Sequence, residues 1–201
     1  MTAGVATALL PGFAEPAVDS QRVFRAVLDA MARPGMLVRV PATIEPPAPL
    51  GIATGAVLLA LADQDTNVWL DAAAQTAEVE AWLRFHCGCP IVAAPEQANF
   101  AAIADPLGMP PLSAFPCGSD EYPDRSATVI VQVPSLTGGE AWTLTGPGIR
   151  DRATLAIAGL VPGFKDQVGA NHALFPRGVD LVFAAGDHVA ALPRSTRMGD
   201  G

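Results

Sequence analysis

Short apolar strands alternate with helical segments in the first half of the chain, and this alternation constrains the fold more than any other feature of the sequence. Strands are predicted at residues 36–40, 66–71 and 90–94, and helices at residues 19–33, 54–62, 78–86 and 96–104. Such alternation is typical of parallel strands whose faces are covered by helices.

Strands dominate the second half. The pattern predicts one helix at 166–174, a final hairpin toward 190–192, and strands at 127–133, 140–145 and 179–184. Gly138-Gly139 is predicted to form the turn between the first two of these strands. We therefore expect an α/β fold, a three-layer α/β/α sandwich with a mixed sheet. A chain of 201 residues favours a single domain, here residues 1–201.

The first predicted helix has marked ends and two unlike faces. Asp19 or Ser20 is the expected cap, and Pro34-Gly35 ends the helix. At about 100° per residue, one face collects apolar residues that we expect to be buried: Val23, Phe24, Val27, Leu28 and Met31. The opposite stripe is net positive and carries Arg22, Arg25, Asp29 and Arg33.

Composition limits the class of protein. Half of the residues are hydrophobic and only 16% are charged, so we expect a partner or a second copy to cover part of the apolar surface. The formal net charge of −8 argues against non-specific nucleic-acid binding, which needs clustered lysine and arginine. A few local arginines can still bind a small anion inside an acidic protein.

Location is predicted from three features. The first seventeen residues lack the positive segment of a secretory signal, and the longest apolar run, residues 51–62, is shorter than the roughly 20 residues that span a bilayer. The odd number of cysteines, three, fits a reducing compartment. We expect a cytoplasmic protein that contacts no membrane.

A glycine-flanked corner, Gly146-Pro147-Gly148, follows the strand at 140–145, and Arg150 and Arg152 come just after it. Exposed backbone N–H groups beside a guanidinium can hold an oxyanion. The other interpretation is a tight turn, in which proline fixes φ and glycine supplies a positive φ. Both interpretations stay open.

The sequence lacks the usual catalytic signatures, namely the P-loop, the dinucleotide fingerprint, GxSxG and HExxH. A phosphate site with His86 as acid–base group is one hypothesis, and its candidate residues are Arg22, Arg33, His86, Gly146, Gly148, Arg150 and Arg177. His86 could instead be a hydrogen-bonded residue at a helix end, and Arg177 could form a local ion pair with Asp180.

A histidine and two thiols stand close together at His86, Cys87 and Cys89. A structural zinc site needs four ligands, and the remaining candidates are not paired in sequence. Small buried thiols are the favoured interpretation, so we expect no metal.

Six blocks of the sequence, read together, resemble the PhnH family of the bacterial carbon–phosphorus lyase system. They cover nearly the whole chain in the right order: GFAEPAVDSQRVFRAVLDAMARPG (12–35), WLD (69–71), LRFHCGCP (83–90), LTGPGI (144–149), FPRGVDLVF (175–183) and LPRSTR (192–197). Cys87 and Cys89 depart from the family pattern, which weakens a functional role for the thiols.

The resemblance implies a role in phosphonate catabolism. Together with PhnG, PhnI and PhnL, PhnH-like chains serve the step in which an alkylphosphonate displaces adenine from ATP at the ribose C1 carbon. With methylphosphonate the product is alpha-D-ribose 1-methylphosphonate 5-triphosphate, which is later hydrolysed and cleaved by PhnJ. The implied fold resembles the large domain of pyridoxal-phosphate-dependent transferases without the cofactor site, so no cofactor is expected.

The resemblance also implies partners. Family members form homodimers alone and lie at the periphery of a core complex with PhnG, PhnI and PhnJ, in which one copy pairs with PhnJ. No catalytic residue carries over to this chain, so little or no activity alone is expected. The alternative is a stand-alone nucleotide- or phosphate-binding α/β enzyme.

Overall fold

The computed structural model describes residues 9–199 as four α-helices and ten strands, with three short 3₁₀ turns. Residues 1–8, part of the stretch in which no secretory signal is predicted, lie outside the described residues. The helices are α1 (Pro16–Ala32), α2 (Ile52–Leu61), α3 (Ala77–His86) and α4 (Phe164–Ala173). The strands are β1 (Val38–Arg39), β2 (Val68–Leu70), β3 (Ile91–Val92), β4 (Phe100–Ile103), β5 (Thr128–Gln132), β6 (Trp142–Thr145), β7 (Ala153–Leu155), β8 (Asp180–Ala185), β9 (His188–Leu192) and β10 (Arg197–Gly199).

Seven strands form a mixed sheet in the order β1-β9-β8-β5-β4-β2-β3. The five strands from β8 to β3 in this order are parallel, whereas β9 runs antiparallel to both of its neighbours. The prediction of an α/β fold with a mixed sheet is confirmed. A second, antiparallel sheet has the order β10-β6-β7.

The two faces of the main sheet are covered differently. Ile130 and Val182 point into a core shared with α1, α2 and α3. The alternate residues Val129, Val131 and Phe183 point into a second core that contains residues of β6, β7 and α4. Burial on both faces explains why β5 and β8 are continuous apolar runs rather than alternating ones.

The predicted helices α2 and α3 are confirmed within two residues. α2 is almost entirely apolar, and most of its first two turns is buried in the core. At the start of α3 the hydroxyl of Thr76 accepts the backbone N–H of Val79 at 3.2 Å, which satisfies one of the free donors at a helix N-terminus.

Two details predicted for α1 are wrong. The helix begins at Pro16 rather than at Asp19 or Ser20, because proline is favoured in the first turn; the Asp19 carboxylate instead accepts the N–H of Glu15 at 3.0 Å. Phe24 and Leu28, predicted to be buried, are 50% and 54% exposed. The helix packs instead through small or β-branched residues, Val23, Ala26, Val27 and Ala30.

Two further predictions are wrong. Four of the nine residues of the helix predicted at 96–104 form β4, a central strand whose short apolar sequence has no periodicity to distinguish a helix from a strand. Gly138-Gly139 does not join a hairpin, since β5 and β6 belong to different sheets. A Cβ on Gly139 would overlap the carbonyl oxygen of Ile157, so glycine is needed there for a close backbone approach. Within residues 9–199, no helix is long and apolar enough to cross a membrane.

Candidate functional site

Ligands of open α/β sheets bind at the carboxyl ends of parallel strands, where the connections diverge to opposite sides. In this sheet β2 leads through α3 to β3 on one side, while β4 leads to β5 on the other. The adjacent carboxyl ends of β2 and β4 therefore form the crevice in which a ligand would be expected.

The side chain of Asp71 occupies this crevice. It directly follows β2 and is only 4% exposed. Its Oδ1 accepts the N–H of Ala74 at 2.8 Å, and its Oδ2 accepts the N–H groups of Ala104 at 3.0 Å and Asp105 at 2.8 Å. Converging N–H groups of this kind bind anions in other proteins. Here the anion is the chain's own carboxylate.

A second place rich in N–H groups, the start of α2, is also satisfied internally. Gln132, the last residue of β5, accepts the Gly51 N–H at 2.6 Å and the Thr54 hydroxyl at 3.0 Å through Oε1. Its Nε2 donates to the carbonyl of Pro49 at 2.9 Å, and the Gly186 carbonyl accepts the N–H of Ala53 at 3.0 Å. A phosphate at this helix start would have to displace the amide.

The Gly146-Pro147-Gly148 corner is a tight turn. The Ile149 N–H donates to the Gly146 carbonyl at 3.2 Å, and Gly148 has a φ of +80°, as a type II turn with proline in second place requires. A Cβ on Gly148 would overlap the carbonyl oxygen of Ala32, at the carboxyl end of α1. The turn accounts for Gly148, while Gly146 has its own positive φ of +132°, which glycine adopts readily. That helix end carries partial negative charge, which disfavours an anion beside it.

A cavity of about 360 Å³ borders the same corner. Besides Gly146 it is lined by His172, Phe175 and Arg197. The Nδ1–H of His172 donates to the Arg194 carbonyl at 2.9 Å, since a carbonyl can only accept. The arginine that lines this cavity is Arg197. The sequence did not indicate it, because Arg197 lies on β10, about fifty residues after Gly146.

The predicted phosphate-site arginines share no common neighbour. Arg22 pairs with Asp19 at 3.5 Å and Arg33 with Asp29 at 3.3 Å, both along α1. Arg150 is exposed and has no ion-pair partner within residues 9–199.

Arg177 and His86 also have separate neighbours. Arg177 Nε lies 3.1 Å from Asp120 Oδ1. His86 Nε2–H donates to the Leu10 carbonyl at 3.1 Å, where His86 also packs on Gly12. At the end of α1, Ala32 and Pro34, the two neighbours of Arg33 in sequence, lie against Gly148. It gives no contact that joins this corner to His86 or Arg177.

The two thiols interact with each other. The hydrogen bond between them raises the pKa of Cys87 and lowers the pKa of Cys89. Burial raises the pKa of both thiols, but for Cys89 the lowering by the hydrogen bond is the larger effect. His86 points instead to Leu10. In the described part of the chain, no group of three or more histidine, cysteine or acidic side chains is placed to hold a metal ion.

Asp180 pairs with Arg194 rather than with Arg177, so the alternative of a local ion pair between Arg177 and Asp180 is not the one found. Arg194 Nε donates to Asp180 Oδ1 at 3.1 Å, and Arg194 Nη1 donates to the Pro123 carbonyl at 2.6 Å. Both charged side chains are mostly buried. The hairpin of β8 and β9 could have indicated this pair, because its register sets Leu181 opposite Leu192 and so brings the residues beyond them together.

A family model and a named relative match the chain over nearly its whole length. A family model described as "Bacterial phosphonate metabolism protein (PhnH)" matches residues 11–199. The chain is 42% identical over 186 residues to a Rhizobium meliloti protein named "Alpha-D-ribose 1-methylphosphonate 5-triphosphate synthase subunit PhnH", covering 92% of this chain and 93% of that protein. It is also 42% identical over 81 residues, 40% of this chain and 42% of the relative, to a "Putative C-P lyase subunit protein HtxG" of Stutzerimonas stutzeri. The chain therefore belongs to the PhnH family of bacterial phosphonate metabolism proteins.

Proposed function

We propose that this chain is a subunit of an alpha-D-ribose 1-methylphosphonate 5-triphosphate synthase in the carbon–phosphorus lyase system. The name of the Rhizobium meliloti relative supports this role. The observation that carries it is the carboxyl edge of the sheet, where Asp71 and Gln132 take the positions in which an α/β enzyme binds its ligand. A subunit whose expected crevice is filled contributes to assembly rather than to the chemical step.

In the proposed reaction a methylphosphonate oxygen attacks the ribose C1 carbon of ATP. The bond between C1 and adenine breaks, a C1–O bond forms, and adenine leaves. The chain supplies no reacting group that its own geometry identifies. Its contribution is to hold partner subunits in the arrangement that performs the step.

The proposed partners are PhnG, PhnI and PhnJ, with a homodimer when the chain is alone, in the cytoplasm. Exposed apolar side chains on α1, Phe24 and Leu28, support an assembly role. We also propose a single domain and a likeness to the large domain of pyridoxal-phosphate-dependent transferases. The parallel strands β2, β4, β5 and β8 with the antiparallel β9 support that likeness.

Reconstitution tests the proposal. The chain is purified alone and together with the other synthase subunits, and adenine release from ATP plus methylphosphonate is measured. We expect turnover by the complete set, a strong loss when this chain is omitted, and none by the chain alone. Turnover by the chain alone would favour the alternative of a free-standing enzyme. In that case Arg33→Ala, Arg150→Ala or Arg197→Ala should weaken nucleotide binding.

A further inference from the structure

The exposed face of α1 has the spacing of a helix-packing surface. Phe24 and Leu28 are half exposed, and exposed residues recur three or four positions apart along this face. We name this set the α1 seam: Ala17, Gln21, Phe24, Leu28 and Ala32. Residues at this spacing form one stripe on a helix, the pattern through which helices pack against another element. The remainder of the α1 surface that faces the protein packs through Val23, Ala26, Val27 and Ala30, so the seam is left to contact another polypeptide.

An arginine cleft lies directly beside the seam. This shallow cavity of about 320 Å³, between α1 and the edge strand β1, is lined by Arg22, Arg25 and Arg39, with Asp29 as the single acidic residue among its lining. Arg22 is held by Asp19 at 3.5 Å and Arg39 by Asp187 at 2.7 Å. Arg25 has no ion-pair partner within residues 9–199. A protein of net charge −8 therefore gathers three of its eleven arginines at one place, next to its exposed helix face.

The geometry points to a docking surface for a different polypeptide, one that presents an apolar stripe flanked by carboxylates. This inference rests on the proposed role as a subunit. Aromatic residues and arginine are enriched at the centres of protein interfaces, and complementary charge fixes the register of the partner. The seam would supply the buried centre, and the cleft would supply the charged flank.

A second copy of the chain fits this surface less well. A two-fold dimer brings the same patch of both copies together, so Arg25 of one copy would lie near the cleft of the other. Like charges across an interface are destabilising unless acidic groups intervene. The acidic groups at this surface are already paired within one copy: Asp19 with Arg22, Asp29 with Arg33 and Asp187 with Arg39. We therefore assign the seam and the cleft to a partner of different sequence.

The test compares matched variants in association with co-expressed PhnG, PhnI and PhnJ. Phe24→Ser removes the centre of the seam, and Arg25→Glu reverses the unpaired charge. Their controls lie on α3: Phe85→Ser replaces another exposed phenylalanine, and Arg84→Glu reverses another exposed helical arginine. We expect Phe24→Ser and Arg25→Glu each to weaken association about tenfold or more. The controls should change it by no more than about twofold.

Salt provides a second readout that a general loss of structure would not give. Association of the unmodified chain should weaken as ionic strength rises, and Arg25→Glu should reduce this dependence. Thermal unfolding of Phe24→Ser, Arg25→Glu and Phe85→Ser should match that of the unmodified chain, because the substituted side chains are exposed. Arg84→Glu should lower the thermal midpoint only slightly, through loss of its exposed pair with Glu80.

Three outcomes contradict the inference. If Phe24→Ser and Arg25→Glu associate like the unmodified chain, the seam is not the docking surface. If Phe24→Ser turns a dimer of the isolated chain into a monomer and leaves association with the other subunits unchanged, the surface belongs to a second copy. If the unmodified chain fails to associate at all, the proposed subunit role itself is wrong, and the inference with it.

Discussion

The Oδ2 atom of Asp71 accepts a 2.8 Å hydrogen bond from the backbone N–H of Asp105, across the gap between the carboxyl ends of β2 and β4. This bond joins two strand ends at the place where the sheet would otherwise open to a ligand. A single buried carboxylate thereby does two things: it satisfies three backbone N–H groups, and it fills the position of a bound anion. The next two predictions test these roles separately.

Asp71→Asn should destabilise the fold by about 3 kcal/mol, because an amide presents one acceptor oxygen where the carboxylate presents two, and its NH2 group would face at least one of the three backbone N–H donors. Urea unfolding gives the free energy directly. Asp65→Asn, on an exposed loop carboxylate, is the control and should change little. Equal changes in the free energy of unfolding would show that the three hydrogen bonds of Asp71 stabilise the fold no more than an exposed carboxylate does.

Asp71→Gly should leave an empty anion cradle formed by the N–H groups of Ala74, Ala104 and Asp105. We expect formate, a free carboxylate, to bind there and to raise the thermal midpoint of this variant but not that of the unmodified chain. Calorimetric scans over a formate series measure this, with chloride at equal ionic strength as the control. Identical responses in the two proteins would contradict the internal-anion interpretation.

The Asp180–Arg194 pair should be worth more than an exposed pair, because both side chains are mostly buried. A double-mutant cycle with Asp180→Ala and Arg194→Ala should give a coupling energy of about 1–2 kcal/mol. The same cycle on Glu80 and Arg84, an exposed pair on α3 at 2.9 Å, should give about 0.3–0.5 kcal/mol. Equal coupling energies would mean that burial does not strengthen the first pair.

Gly148→Ala should cost more than Gly138→Ala, although both glycines have a positive φ, +80° and +85°. A Cβ at Gly138 meets no atom within 4 Å, whereas one at Gly148 overlaps the Ala32 carbonyl. The Gly138 variant should lose about 1 kcal/mol from backbone strain alone, and the Gly148 variant about 2 kcal/mol or more. Denaturant unfolding of both variants measures the difference. If the two losses are equal, the contact with α1 does not require glycine.

The thiol pair predicts a direction of titration. In the unmodified chain Cys89 should lose its proton first, below the ordinary thiol pKa, because the Cys87 thiol donates a hydrogen bond to it. Cys87→Ala removes that donor, so the pKa of Cys89 should rise. Ultraviolet thiolate absorbance against pH, in a Cys117→Ser background, follows the change. A lower pKa for Cys89 in the variant would contradict the assigned direction of the hydrogen bond.

Some elements were predictable because their local pattern and their tertiary role agree. α3 has an amphipathic pattern and ends at the predicted His86, while β5 and β8 are apolar runs that only a doubly covered sheet can bury. β4 was missed because Phe100–Ile103 is short, apolar and alanine-rich, and only its place between β2 and β5 decides that it is a strand. Phe24 and Leu28 were misplaced because periodicity alone does not show which part of an apolar stripe the core covers.

The candidate site was harder to predict, because its partners are distant in sequence. Asp71 was visible only as an acid at the end of a strand; two of its hydrogen-bond donors come 33 and 34 residues later. Gln132 satisfies the start of a helix about eighty residues earlier in the chain. The Gly-Pro-Gly corner, by contrast, has the proline and glycine that a type II turn requires, and that local interpretation agrees with the structure.

Titration calorimetry of the isolated chain with ATP and with methylphosphonate tests the central claim most directly. Because Asp71 and Gln132 fill the carboxyl edge of the sheet, we expect no saturable heat from either compound. Saturable ATP binding that is altered by Asp71→Asn or by Gln132→Ala would place a ligand at that edge and would contradict the account.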